Sequence, residues 1–124
     1  MSWLTKGKTT APPDWATKLV SGVTIRWHYH PSGKNCYGAY ASFRQEIHIH
    51  TWINEPTNEI WMVLLHEYAH YLAPRRDSEK SWHGPRFWEQ AARLYTKHGI
   101  LAHAAINERY ANGRKFLVEY LADN

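Results

Sequence analysis

The spacing of hydrophobic and polar residues predicts three strands in the first half of the chain. Residues 23–30 (VTIRWHYH) alternate between apolar and polar positions, as in a half-buried strand. Residues 36–42 (CYGAYAS) and 46–52 (EIHIHTW) have strand composition and follow after short links rich in turn residues. Three consecutive strands joined by short links predict an antiparallel meander.

The second half of the chain has helical spacing. Apolar residues recur every three or four positions over residues 57–73, which predicts a helix with a wide buried face, and Pro74 ends it. A polar loop follows over residues 75–82, and Pro85 suits the first turn of the next helix. A short helix is predicted to begin at Asp14 as N-cap and to end just before Gly22. Further helices are predicted over residues 101–110 and 114–122, with Asn112 and Gly113 between them.

These elements predict an α+β fold. Residues 1–13, which end in Ala-Pro-Pro, are expected to form a flexible lead. Residues 14–124 are expected to form a single domain, because a chain of 124 residues is too short for two ordinary domains.

Composition narrows the functional class. A hydrophobic share of 44% excludes a disordered chain. The longest apolar run, residues 60–65, is far shorter than the roughly 20 residues that cross a bilayer, so no membrane span is expected. No apolar segment follows the N-terminal lysines, and Cys36 is the single cysteine, so we expect no secretory signal, no internal disulfide and a cytoplasmic protein.

The charge balance is mildly basic. The formal net charge is +4 and the basic residues are scattered along the chain. Such a balance allows weak contact with DNA, but moderate basicity is also common in soluble domains. We therefore expect at most a weak DNA contact from charge alone.

The predicted helix over residues 57–73 contains the pattern His66-Glu67-Tyr68-Ala69-His70. Residues four apart on a helix lie one above the other, so the two imidazoles can share one metal ion. A catalytic zinc site needs three protein ligands, and the single cysteine excludes a thiolate site. His83, thirteen residues beyond His70, is the candidate third ligand.

Glu67 has the chemistry of a general base. It follows His66 directly and can hydrogen-bond a zinc-bound water. A carboxylate there can accept the proton of that water during attack on a carbonyl carbon and pass it to the leaving amine. This pattern predicts a zinc-dependent endopeptidase that holds one zinc ion and acts on a protein or peptide substrate.

Several other polar residues have two interpretations each. His48 and His50 share a strand face with Glu46, where surface polarity or a groove lining is favoured over a second metal site. Asp77 and Glu79 either orient a zinc histidine or are solvated loop charges, and the second is favoured. Peptide hydrolysis also needs a group that stabilises the negative charge on the substrate carbonyl oxygen in the transition state. The sequence does not rank the five candidates for this role, which are Tyr71, Arg86, His103, Arg109 and Tyr110.

The strand EIHIHTW, the helix WMVLLHEYAHYL and the segment HGPRFWEQAARLY together resemble the SprT-like zinc metallopeptidases, relatives of the Spartan protease that digests proteins crosslinked to DNA. The family signature is H-E-x-x-H followed by H-G-x-x-F, found here at residues 66–70 and 83–87. The resemblance covers residues 14–99. It implies a zincin-like minimal metallopeptidase domain in which the meander packs on the active-site helix.

The resemblance also implies site roles. Zinc would be bound by His66, His70 and His83, with Glu67 as general base. A substrate strand would pair with the edge of the sheet, for which residues 46–52 would serve.

Many relatives carry a C-terminal zinc ribbon, which one cysteine cannot form. We therefore expect a minimal form of the family, as in a phage or a small bacterial protein. Two alternatives stay open: a zinc-stabilised module that binds nucleic acid or protein without catalysis, and a repressor peptidase of the ImmA type. The segment HGPRF argues against the second alternative.

Overall fold

The computed structural model of the chain describes residues 8–30, 36–52 and 57–123. Within these ranges the strands are β1 (Lys8–Thr10), β2 (Thr24–Tyr29), β3 (Tyr37–Ala41) and β4 (Glu46–Thr51). The helices are α1 (Asp14–Leu19), α2 (Thr57–Leu72), α3 (Pro85–Lys97), α4 (Leu101–Asn107) and α5 (Ala111–Asp123). The predicted α+β class is confirmed.

The four strands form a mixed sheet in the order β1-β2-β4-β3. The predicted antiparallel meander is wrong, because β4 pairs in parallel with β2 and antiparallel with β3. All six residues of β4 are buried, as suits an interior strand. Because β4 lies between β2 and β3 in the sheet, the connection from β2 to β3 must cross a distance of two strand spacings, about 10 Å. The seven residues that separate β2 from β3 in the sequence are enough for this, since seven residues reach at most about 23 Å.

This strand order changes which strand can accept a partner. β4 has neighbours on both sides, so the expectation that residues 46–52 offer an edge to a substrate is wrong. β3 lies at one end of the sheet and β1 at the other. Any strand added on the side of β3 would pair with Tyr37–Ala41.

Strand β1 falls within the segment that the sequence assigned to a flexible lead. Residues 8–10 pair antiparallel with β2, with Thr9 opposite His28. The sequence pattern does not predict β1, because three residues are too few to show the alternation of a strand. The rest of the predicted lead, residues 1–7, lies outside the described residues.

Helix α2 lies at the centre of the domain. The apolar side chains Trp27, Ile47 and Ile49 of the sheet belong to one buried cluster with Leu64 and Leu65 of α2. Helix α3 packs on α2, and α4 and α5 pack on α3. Because α2 is covered by both the sheet and α3, even its polar residues in the middle are buried. None of the described helices combines the length and the apolar character needed to cross a bilayer.

Gly113 lies inside α5, whereas the sequence placed Asn112 and Gly113 between two helices. A Cβ atom at Gly113 would lie 2.3 Å from two ring carbons of Trp88 on α3. The glycine therefore permits the close approach of α5 to α3 and does not break the helix. The sequence could not distinguish these two roles.

Replacement of Gly113 by alanine tests this packing role. On an exposed helix the change would add about 1 kcal/mol of stability. Here we expect the free energy of unfolding to fall by about 2 kcal/mol, because the new methyl group overlaps the Trp88 ring. Urea unfolding followed by circular dichroism measures the difference.

Gly84→Ala is the matched control for this substitution. A Cβ atom at Gly84 would meet no atom closer than 3.9 Å, so we expect a change within about 0.5 kcal/mol. A Gly113→Ala protein as stable as the wild type would contradict the close approach of α5 to Trp88.

Candidate metal centre

Two histidines on neighbouring turns of α2 form one side of the centre. His66 and His70 are only 7% and 8% exposed, and their ring centroids lie 5.2 Å apart. Their four-residue spacing places both rings on the helix face that meets α3. Phe87 of α3 packs against both rings, with centroid distances of 4.9 Å to His66 and 4.3 Å to His70.

His83 approaches these two rings from the loop that precedes α3. Its Nε2 atom lies 3.1 Å from Nε2 of His66 and 3.1 Å from Nε2 of His70. The backbone of His83 is held on both sides, since its N–H donates to Ser81 Oγ and its carbonyl oxygen accepts from Trp88 Nε1 and Asn112 Nδ2. The structure thus brings together the three histidines that the sequence singled out.

The spacing of the three imidazoles fits a tetrahedral metal ion. Two nitrogens bound to one zinc ion at about 2.05 Å would lie about 3.3 Å apart. The observed separations of 3.1 Å are close to that value, and all three ligand atoms lie within 4.8 Å of one another. The described residues contain no second such group.

Two of the three histidines are held in the neutral form that a metal requires. Burial and the neighbouring His66 and His83 lower the pKa of His70 to about 3. Burial and the neighbouring His66 lower the pKa of His83 to about 4. His66 differs: burial would lower its pKa, but the hydrogen bond and charge of Glu108 outweigh burial and raise it.

Glu108 is the residue that the sequence analysis missed. It lies just after α4, is 4% exposed, and its Oε2 atom lies 3.2 Å from Nδ1 of His66. The Tyr95 hydroxyl donates to the same oxygen at 2.7 Å, and the Arg109 N–H donates to Oε1 at 3.0 Å. Burial would raise the pKa of Glu108, but His66 and Tyr95 lower it, so this carboxylate stays ionised.

The contact with Glu108 sets the orientation of His66. When Nδ1 of His66 donates to the carboxylate, Nε2 keeps its lone pair, and Nε2 is the atom that faces His83. A carboxylate behind a metal-binding imidazole fixes its tautomer in this way. Glu79, one of the two acids considered for this role, pairs with Arg86 at 2.7 Å instead, and Asp77 is exposed.

Glu67 lies next to His66 along α2, and its side chain packs against the edge strand β3. It is 7% exposed, and burial raises its pKa to about 7 although the nearby His66 opposes this shift. A Cβ atom at Gly38 of β3 would lie 3.1 Å from Cγ of Glu67 and 2.9 Å from the His48 carbonyl oxygen. A glycine at position 38 therefore lets the strand pass close to this carboxylate.

Two cavities of about 530 Å³ each open beside the centre. Four residues line both of them: Gly38, His66, Glu67 and Tyr110. The first extends over Met62, Val63 and Arg109, and the second extends over Lys80, Trp82 and His83. Together the cavities form a cleft along β3 with Glu67 at its middle.

His28, His30, His48 and His50, which lie in or directly after β2 and in β4, form a separate group on the other face of the sheet. His28 Nε2 lies 3.0 Å from His48 Nδ1, and His30 Nε2 lies 2.9 Å from His50 Nδ1. The expected surface polarity is wrong for His48 and His50, which are 8% and 0% exposed. Burial and the neighbouring histidines lower the pKa of His50 to about 4, which favours neutral hydrogen-bonded rings.

Comparison with known proteins adds one finding. The sequence model of the SprT-like family matches residues 14–112, which include α1 to α4, every residue of the centre and the start of α5. No curated protein and no solved structure matches the chain. Family membership supports a metallopeptidase-like domain in general terms. Since the match covers most of its length, the chain belongs to the SprT-like family.

Proposed function

We propose that this protein is a zinc-dependent endopeptidase in which His66, His70 and His83 hold one zinc ion and Glu67 is the general base. The observation that supports this proposal best is the convergence of three imidazole nitrogens, with His83 Nε2 lying 3.1 Å from Nε2 of both His66 and His70, beside a buried carboxylate. When bound, zinc would act as a Lewis acid that polarises the scissile carbonyl group and lowers the pKa of water to about 7.

Glu67 has the properties that the proton transfers require. A general base works best when its pKa lies near the working pH, and burial raises the pKa of Glu67 to about 7. The cationic charge of a bound ion would lower that value and keep the carboxylate ionised. Glu67 would accept a proton from the attacking water and then deliver it to the amine of the leaving peptide.

Strand β3 is the proposed docking edge for the substrate. It is an end strand of the sheet, and its residues Tyr37, Gly38, Ala39 and Tyr40 line the two cavities. An extended peptide could add to this edge through main-chain hydrogen bonds, which suit a protein substrate of varied sequence. The scissile bond would then lie over Glu67, because Gly38 is the point where β3 passes that carboxylate.

If Glu67 is the general base, its substitution should abolish peptide cleavage without affecting zinc binding. Glu67→Gln removes the proton acceptor but keeps the volume of the side chain, so we expect casein cleavage to fall by at least about 1,000-fold. Zinc content and thermal unfolding should stay as in the wild type, because Glu67 is outside the proposed ligand set.

Glu119→Gln, an exposed change on α5, is the matched control and should leave cleavage unchanged. Undiminished cleavage by the Glu67→Gln protein would contradict the general-base role. A wild type that binds zinc but cleaves no protein would favour the zinc-stabilised binding module. The same assay with single-stranded DNA added tests the weak DNA contact, and an unchanged rate would contradict a role for DNA in activity.

The proposed ligand set predicts the metal content. Elemental analysis of the purified protein should find about one zinc ion per chain, and none in the double variant His66→Ala, His83→Ala. The double variant His98→Ala, His103→Ala is the control and should keep its zinc, since neither residue belongs to the group of three histidines: His98 packs on Trp61 and His103 pairs with Glu59. Zinc retained by the first double variant would refute the ligand set.

The hydrogen bond between Glu108 and His66 is expected to contribute to metal affinity. Glu108→Gln removes the negative charge that holds the His66 ring, so we expect zinc affinity to fall by about 10-fold to 100-fold in competition with a chromophoric chelator. Glu79→Gln, which removes a charge from the loop before His83 but not from the centre, should leave affinity within about threefold. Equal affinities of a folded Glu108→Gln protein and the wild type would contradict the orienting role.

A further inference from the structure

The proposed hydrolysis leaves one group unassigned, the donor that stabilises negative charge on the substrate carbonyl oxygen. Three of the five candidates from the sequence lie away from both cavities. The Tyr71 hydroxyl lies beside Gly22. Arg86 is bound by Glu79 and the Pro74 carbonyl oxygen, and His103 pairs with Glu59 at 2.8 Å.

Of the remaining two candidates, Tyr110 has the better position. It lines both cavities, as does Glu67, whereas Arg109 lines one of them. Its ring stacks on His83 with a centroid distance of 4.0 Å and an interplanar angle of 27°. Tyr110 is 37% exposed, and its hydroxyl group makes no hydrogen bond within the part of the chain that the structure describes.

Tyr110 is also held in place by its neighbours along the chain. Glu108, two residues earlier, is anchored to His66 and Tyr95. The Arg114 N–H donates to the Tyr110 carbonyl oxygen at 3.0 Å, and Nη1 of Arg114 donates to the Glu108 carbonyl oxygen at 2.6 Å. A donor fixed before the substrate arrives costs no reorganisation when charge develops, which makes it effective.

We propose that Tyr110 is a catalytic residue whose phenolic O–H donates a hydrogen bond to the carbonyl oxygen of the scissile peptide bond. The hydrogen bond strengthens as that oxygen gains negative charge, and the phenol keeps its proton throughout. The inference rests on the proposed peptidase function and adds the electrophile that the histidines and Glu67 do not supply. It also gives a role to a hydroxyl group that has no partner among the described residues and belongs to a side chain lining both cavities.

Tyr110→Phe tests this role because it removes only the hydroxyl group and keeps the ring on His83. On a fluorogenic peptide copied from a casein cleavage site, we expect kcat to fall on the order of 100-fold with KM within about twofold. Affinity for a phosphinic peptide of the same sequence, which carries a tetrahedral phosphorus in place of the scissile carbonyl carbon, should fall by a similar factor in calorimetry. Zinc content should not change.

Tyr71→Phe is the matched control, because its hydroxyl group lies outside both cavities, and it should change none of these quantities. A Tyr110→Phe protein with wild-type kcat and wild-type affinity for the phosphinic peptide would overturn the inference and leave the peptidase proposal intact. A loss of zinc in parallel with the loss of activity would also overturn it, since Tyr110 would then act through His83. A wild type that neither cleaves casein nor binds the phosphinic peptide would overturn the peptidase proposal itself.

Discussion

The burial of polar side chains in the middle of α2 is the constraint on which the rest of this structure depends. His66, Glu67 and His70 are all removed from water, and a buried ionisable group is costly unless a partner compensates it. Glu108 compensates His66, and a metal ion shared with His83 would compensate His70. Helices α4 and α5 therefore contribute to the centre as well as to the core, because the segment between them contains Glu108.

Two glycines permit the close approach of elements around the metal centre. Gly38 lets the edge strand pass Glu67 at contact distance, and Gly113 lets α5 press on the ring of Trp88. The indole N–H of Trp88 in turn donates to the His83 carbonyl oxygen, so helix packing and the position of His83 are coupled. A packing change far from the cleft, such as one on α5, would therefore move a proposed metal ligand.

Seven of the nine histidines in the chain fall into two spatial groups. His28, His30, His48 and His50 form two ring-to-ring hydrogen bonds on the far face of the sheet, where each acceptor ring must be neutral. His66, His70 and His83 instead direct their Nε2 atoms toward one another. Both groups are largely buried, and only the second has the convergent geometry that a metal ion needs.

The sequence by itself determined the elements whose cause is local. The alternation of residues 46–52, the helical period of residues 57–73 and the proline at 74 predict β4 and α2 almost to the residue, and the proline at 85 predicts the start of α3. The spacing of His66 and His70 follows from the helix period, and the need for a third ligand pointed to His83. Chemistry that depends on neighbours within one or two elements could be predicted this way.

Tertiary structure alone decided which distant residues meet. The parallel pairing of β4 with β2, the exposure of β3 as the edge, and the role of Gly113 depend on packing between separate elements. Glu108 reaches His66 across 42 residues of sequence, and Tyr110 reaches His83 across 27. Periodicity indicates which face of an element is buried, but not which side chain of another element lies opposite, because that partner is selected by the whole fold.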